Sequence, residues 1–182
     1  MKNIYRTLQD TDPGMLPLLA KFWKTTITGK DAAGAIEALA QMMLNHERAE
    51  QVWSALSDQQ RGALQMLIGS GGRMPLAKFA RLFGDIRQMG AAQIERANPL
   101  DNPATLAEGL YYRGLIAQAF EQADTGPRVV VYIPPDLLDV LPVRQTSYSN
   151  LETQPVETAP PTVEPLANVQ QDADIQAGVQ RV

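Results

Sequence analysis

The run Leu106–Ile133 constrains the fold more than any other stretch of this chain. Leu106, Ala107, Leu110 and Tyr111 recur at helical spacing, and Gly114 then turns the chain into a strand. Leu115–Gln122 and Arg128–Ile133 read as two strands, joined by the turn residues Ala123-Asp124-Thr125-Gly126-Pro127. Val129-Val130-Val131-Tyr132-Ile133 has the strongest β preference in the sequence, because branched and aromatic side chains suit a pleated, half-buried surface. Two helices are expected before this run, and the resulting order is that of a winged helix-turn-helix.

Those two helices have clear ends. Ser57 and Gln60 form a capping-box pattern at the start of a helix over Asp58–Ile68, and Gly69-Ser70-Gly71-Gly72 stops it. Arg73-Met74-Pro75 is expected to be a short extended piece. Leu76–Phe83 is the second helix, with Leu76, Phe79, Ala80 and Phe83 inward and Lys78 and Arg81 outward. Asp85–Asn102 is an insertion relative to a minimal winged helix, with a short helix over Ala91–Ala97. Asn102 and Pro103 are expected to start the third helix, with Thr105, Glu108, Tyr112 and Arg113 exposed and Leu106, Ala107, Leu110 and Tyr111 buried. Asp136–Leu141 is a short closing helix.

Upstream, the pattern is helical throughout. A short helix over Asn3–Gln9 is followed by Asp12 as cap of a helix over Pro13–Lys24, whose Leu16, Leu19, Ala20 and Trp23 share one face. Thr25–Lys30 reads as a turn. Asp31 caps Ala32–Leu44, and Glu47–Leu56 follows, so that both tryptophans, Trp23 and Trp53, are expected inward. From Val143 onward the periodicity is lost in a stretch rich in Gln, Thr, Pro, Glu, Ala and Val, which cannot bury enough apolar surface to offset its ordering entropy. The expected organisation is a helical subdomain over 1–56, a winged-helix domain over 57–142 and a disordered tail or linker over 143–182. The fold class is mostly α, α+β. The tail's lack of an ending signal suggests a piece of something longer.

Composition narrows the chemistry. With no Cys and one His, there is no disulfide, no cysteine nucleophile and little basis for a transition-metal site. No apolar run approaches the roughly 20 residues of a membrane span, and the N-terminus lacks the apolar core of a signal peptide. The expected setting is therefore cytoplasmic, without a membrane partner. The net charge is −4, but unevenly placed: six basic against six acidic residues over 1–56, eight against nine over 57–142, and two against five over 143–182. This is not a strongly basic footprint, so nucleic-acid binding would depend on local patches.

Four blocks carry a family resemblance: Leu64…Gly71-Gly72-Arg73; Leu76…Phe83-Gly84; Ala107-Glu108-Gly109-Leu110-Tyr111-Tyr112-Arg113-Gly114-Leu115-Ile116; and Val131-Tyr132-Ile133-Pro134-Pro135-Asp136-Leu137. Together they resemble the helicase-associated N-terminal domain found near XPB/Ssl2-type helicases, which bacterial DNA-binding proteins also carry without a helicase motor. The likeness covers roughly residues 13–142 and implies a winged helix that binds DNA. Larger members continue past an acidic, proline-bearing linker into further domains. A second likeness, over Leu16–Leu39, is to a SAP-like helix–extended–helix element, with only Lys30 left of its basic run.

An enzyme is not expected. Gly29-Lys30 is followed by Asp31 and lacks the earlier glycine of a phosphate-binding loop, and Gly69-Ser70-Gly71-Gly72 has no following Lys-Ser/Thr. Asp10/Asp12 and Asp136/Asp139 could serve as acid–base pairs, but they sit at expected helix starts, where capping explains them. No serine lies in a nucleophile elbow. No cofactor or small-molecule substrate is implied. The expectation is a non-catalytic DNA-binding module using Arg73, Lys78, Arg81, Arg87, Arg113 and Arg128 on the phosphate backbone, with Arg96 beside them. The alternative is a protein–protein scaffold of the same fold.

Overall fold

The computed structural model describes residues 1–26, 31–123 and 126–143. In chain order the elements are α1 (Ile4–Gln9), a 3-10 turn (Pro13–Met15), α2 (Leu16–Trp23), α3 (Ala32–Met43), α4 (His46–Ala55) and α5 (Asp58–Gly69). Then come β1 (Arg73–Pro75), α6 (Leu76–Phe83), α7 (Ala91–Ala97), α8 (Leu106–Tyr111), β2 (Ala117–Ala123), β3 (Gly126–Tyr132) and α9 (Pro135–Val140). The architecture is α+β. The expected 143–182 tail, Val143 apart, lies outside the described residues, as do Ile27–Lys30 of the expected turn and Asp124-Thr125 of the hairpin. Among the described residues no helix is long and apolar enough to cross a membrane.

The sheet is antiparallel throughout, in the order β1-β3-β2. Met74 pairs with Val131, which is fully buried, and α6 packs on β1 and β3. By strand alternation Tyr132 points to the other face, where its hydroxyl and that of Thr7 on α1 lie 2.9 Å apart. One apolar core takes Trp23, Leu39 and Met43 from the N-terminal helices and Leu64, Phe79 and Leu110 from the later ones. Both Asp136 carboxylate oxygens accept the Ile4 N–H, at 2.9 and 3.0 Å. That bond satisfies a first-turn donor of α1 that has no partner within its own helix and ties the N-terminus to α9.

Helix starts follow the capping chemistry. Asn3, Asp31, Asn45 and Ser57 each accept a first-turn N–H, and Ser57 with Gln60 forms the full capping box. The expected Pro13–Lys24 helix is split, because Pro17 has no N–H and is tolerated only in a first turn. The α-helix therefore begins at Leu16, after a 3-10 turn capped by Asp12.

Three further expectations are corrected. Trp23 is fully buried, but Trp53 is only half-buried at the edge of the core. The helix expected to start at Asn102 starts instead after Thr105, whose hydroxyl accepts the Glu108 N–H at 3.0 Å. Gly84 presses against the Thr105 side chain, which lies 2.5 Å from where a Cβ would stand, and its φ of +89° is one that L side chains rarely adopt. Finally, Glu108 and Tyr112, expected outside, are buried, while Tyr111 is half-buried. The reason is the Asp85–Asn102 insertion, which folds over the outer side of α8. Tyr112 donates its hydroxyl proton to the Arg87 carbonyl at 2.7 Å, and burial pushes that hydroxyl's pKa up to about 12.

Candidate nucleic-acid interface

The six basic residues read from the sequence occupy three kinds of place. Arg73 on β1 and Arg128 on β3 both bind Glu121 of β2, at 2.6 and 2.8 Å, and strand alternation puts all three on one face. The bond from Arg128, chief among its causes, holds the Glu121 carboxyl below the usual range. Arg87 makes a bidentate pair with the inaccessible Glu108 carboxylate, both contacts at 2.6 Å. Ala104 N–H donates to the same carboxylate at 3.0 Å. Lys78 and Arg81 stand exposed on α6, outside any ion pair among the described residues. Arg96 is also exposed, with its Nε on the Ala92 carbonyl at 3.2 Å.

Arg113 is different. It is half-buried, donating from Nη1 to the Gly109 carbonyl at 2.8 Å and from Nη2 to the Leu100 carbonyl at 2.7 Å. Its guanidinium lies 5.6 Å from the centre of the Phe22 ring, a cation–π distance. Burial lowers its pKa, opposed by the charge of Asp101. It stands close over Gly109, where a Cβ would come within 2.9 Å of Nη1.

Arg113 lines a cleft of about 430 Å³ that none of the other five residues lines. Lys21, Lys24 and Arg48 line it too, with Phe22 between them and Asp101 as the only acid among the described lining residues. Local structure places each cation. Lys21 lies in the last turn of α2, where the helix dipole favours positive charge, and Lys24 takes the left-handed position that ends the helix (φ 54°). Arg48 of α4 covers that same helix end, donating to the Trp23 carbonyl at 3.1 Å and the Phe22 carbonyl at 2.6 Å, two acceptors that α2 itself leaves unpaired. Its third bond goes to Gln51 at 2.9 Å.

None of these four cations joins an ion pair among the described residues. A guanidinium has five N–H donors. The bonds from Arg48 and Arg113 all go to neutral acceptors and leave donors on both for a ligand. Four positive charges against one carboxylate, with Arg48 and Arg113 half-buried and Lys21 and Lys24 exposed, suit an anion of phosphate type. The sequence held part of this signal, since Lys21 and Lys24 are one helical turn apart and off the apolar face of α2. Arg48 and Arg113 join them only through tertiary folding.

Three of the four carboxylates considered for catalysis have structural partners. Asp10 pairs with Lys2, Asp12 accepts the Gly14 N–H at 2.7 Å, and Asp136 holds Ile4. His46 is exposed at the start of α4. Among the described residues no three His, Asp or Glu gather as metal ligands. A second cavity, beside Tyr132 and Tyr111, measures only about 70 Å³. No family model, curated protein or solved structure matches this chain.

Proposed function

We propose that this chain is a non-catalytic DNA-binding module of winged-helix type, and that it holds the phosphate backbone in the cleft of Lys21, Lys24, Arg48 and Arg113. The order α5, β1, α6, α8, β2, β3 supports the winged-helix reading, with α7 carried in the insertion before α8. The observation that carries the functional reading is the gathering of four cations around one cleft with a single opposing carboxylate. Of the six residues read from the sequence, Arg113 belongs to that cleft. Lys78 and Arg81 are supplementary contacts. Arg73, Arg87 and Arg128 serve first as internal partners of Glu121 and Glu108. On this reading α8 does not enter a groove to read bases, since Ala107, Glu108, Gly109 and Leu110 are all buried. Contact is with backbone phosphates and is therefore sequence-tolerant and salt-dependent. The module works in the cytoplasm and needs no cofactor.

The test is titration of the full chain into labelled duplex and single-stranded DNA at low and high salt, read by fluorescence anisotropy. Binding at low salt that weakens linearly in log–log form with added salt is expected. Absence of binding at low salt would remove the DNA reading. The second reading, a protein–protein scaffold, draws on Phe120, which stands 86% exposed on β2.

A further inference from the structure

The sheet ends in β2, whose outer edge has no neighbouring strand among the described residues. Exposed edges usually carry a guard against pairing with another chain, such as a lysine, a proline or a bulge. Ala117-Gln118-Ala119-Phe120-Glu121-Gln122-Ala123 contains neither lysine nor proline, and its register with β3 runs through all seven residues without a bulge. Its one charge, Glu121, is neutralised within its own sheet by Arg73 and Arg128. Phe120 is the middle residue of the strand and is 86% exposed, more than any other large apolar side chain described.

We propose that β2 is a pairing edge for a second copy of this chain, antiparallel and centred on Phe120. A two-fold axis through a strand's middle residue sets that residue against its own copy. Phe120 then meets Phe120 of the second copy, and the two rings gain an aromatic contact that neither has alone. The same register sets Glu121 opposite Ala119, Gln118 opposite Gln122 and Ala117 opposite Ala123, so no like charges meet. Other registers do worse. An axis through Glu121 opposes the two carboxylates, and one through Ala119 sets each Phe120 against a glutamine. One strand pair buries well under the ~1,200 Å² of a standard interface, so association is weak and concentration-dependent. No residue of β2 lines the cationic cleft, which makes pairing separable from DNA binding.

The test uses the full chain, by sedimentation velocity from about 10 µM to about 1 mM, a range suited to a weak interface, with amide exchange read at residues 118–122. The expected result is a dimer that grows with concentration while β2 amides gain protection in step. The Phe120→Lys and Phe120→Glu variants, unchanged in circular dichroism, stay monomeric alone, and an equal mixture of the two restores the dimer because opposite charges then face each other. The proposal is overturned by a wild type that stays monomeric throughout, by a dimer indifferent to both substitutions, or by a mixture that remains monomeric. Concentration-independent protection of those β2 amides that point away from β3 also overturns it.

Discussion

Acid is expected to weaken this fold through Glu108, and removing Arg87 is expected to blunt that response. The Glu108 side chain is inaccessible and accepts two N–H groups from Arg87, at 2.6 Å each, and one from Ala104 at 3.0 Å. The Arg87 bonds, the largest cause, hold its carboxyl below the ordinary 4.5, against burial, which pushes it up. A lowered folded-state pKa gives stability that is present above 4.5 and lost as pH falls through the folded value. In an Arg87→Met variant the main lowering cause is gone, and burial, which pushes the carboxyl up, is opposed only by backbone N–H bonds. The folded-state pKa therefore rises from its lowered position, so the variant gains less stability than wild type as pH climbs through the acid range. At neutral pH, Glu108→Gln keeps an acceptor but gives up the charged pair, while Arg87, half-exposed, returns to water. The expected cost is about 1.5–3 kcal/mol, or roughly 5–10 °C in Tm. Urea unfolding of wild type and both variants, stepped from pH 7 towards 4, measures this. An Arg87→Met variant weakened by acid as steeply as wild type would refute the reasoning, as would a Glu108→Gln cost below about 0.5 kcal/mol.

Thermal unfolding checks four other substitutions. Gly84→Ala adds a Cβ 2.5 Å from the Thr105 side chain at a φ of +89° and is expected to cost about 2 kcal/mol or more. Gly62→Ala lies inside α5 with nothing within 4 Å of its added Cβ and is expected to stabilise by up to about 1 kcal/mol. Ser57→Ala removes the capping box of α5, for about 1 kcal/mol. Asp136→Ala leaves the Ile4 N–H without its acceptor and is expected to cost about 1–3 kcal/mol, with faster amide exchange confined to α1.

The elements were legible where local chemistry decides them. Ser57 and Gln60 mark the start of α5, Arg73-Met74-Pro75 is extended, and Ala91–Ala97 is a helix. What the sequence hid was tertiary. Glu108 and Tyr112 look like an exposed polar edge of α8 until the insertion covers them, and nothing local announces that Arg87 will meet a carboxylate 21 positions away. The candidate site was legible only in part for the same reason. Arg73 and Arg128 read as free cations because their shared partner, Glu121, reaches them only through strand pairing. Arg48, within the expected Glu47–Leu56 helix and singled out by nothing local, ends α2 and completes the cleft begun by Lys21 and Lys24.

The most direct test of the central claim is the salt dependence of DNA binding in two paired charge reversals, Lys21→Glu with Lys24→Glu and Lys78→Glu with Arg81→Glu. Both pairs are exposed and outside any ion pair among the described residues, so net charge changes equally while the fold is spared. Four phosphate contacts in the cleft predict a wild-type slope of about −3 to −4 in log K against log salt on duplex DNA. Reversing Lys21 and Lys24 is expected to reduce that slope by about two and to abolish tight binding at low salt. The α6 pair is expected to keep most of both. Equal losses from the two pairs, or a larger loss from Lys78 and Arg81, would contradict the assignment of the cleft as the phosphate-binding site.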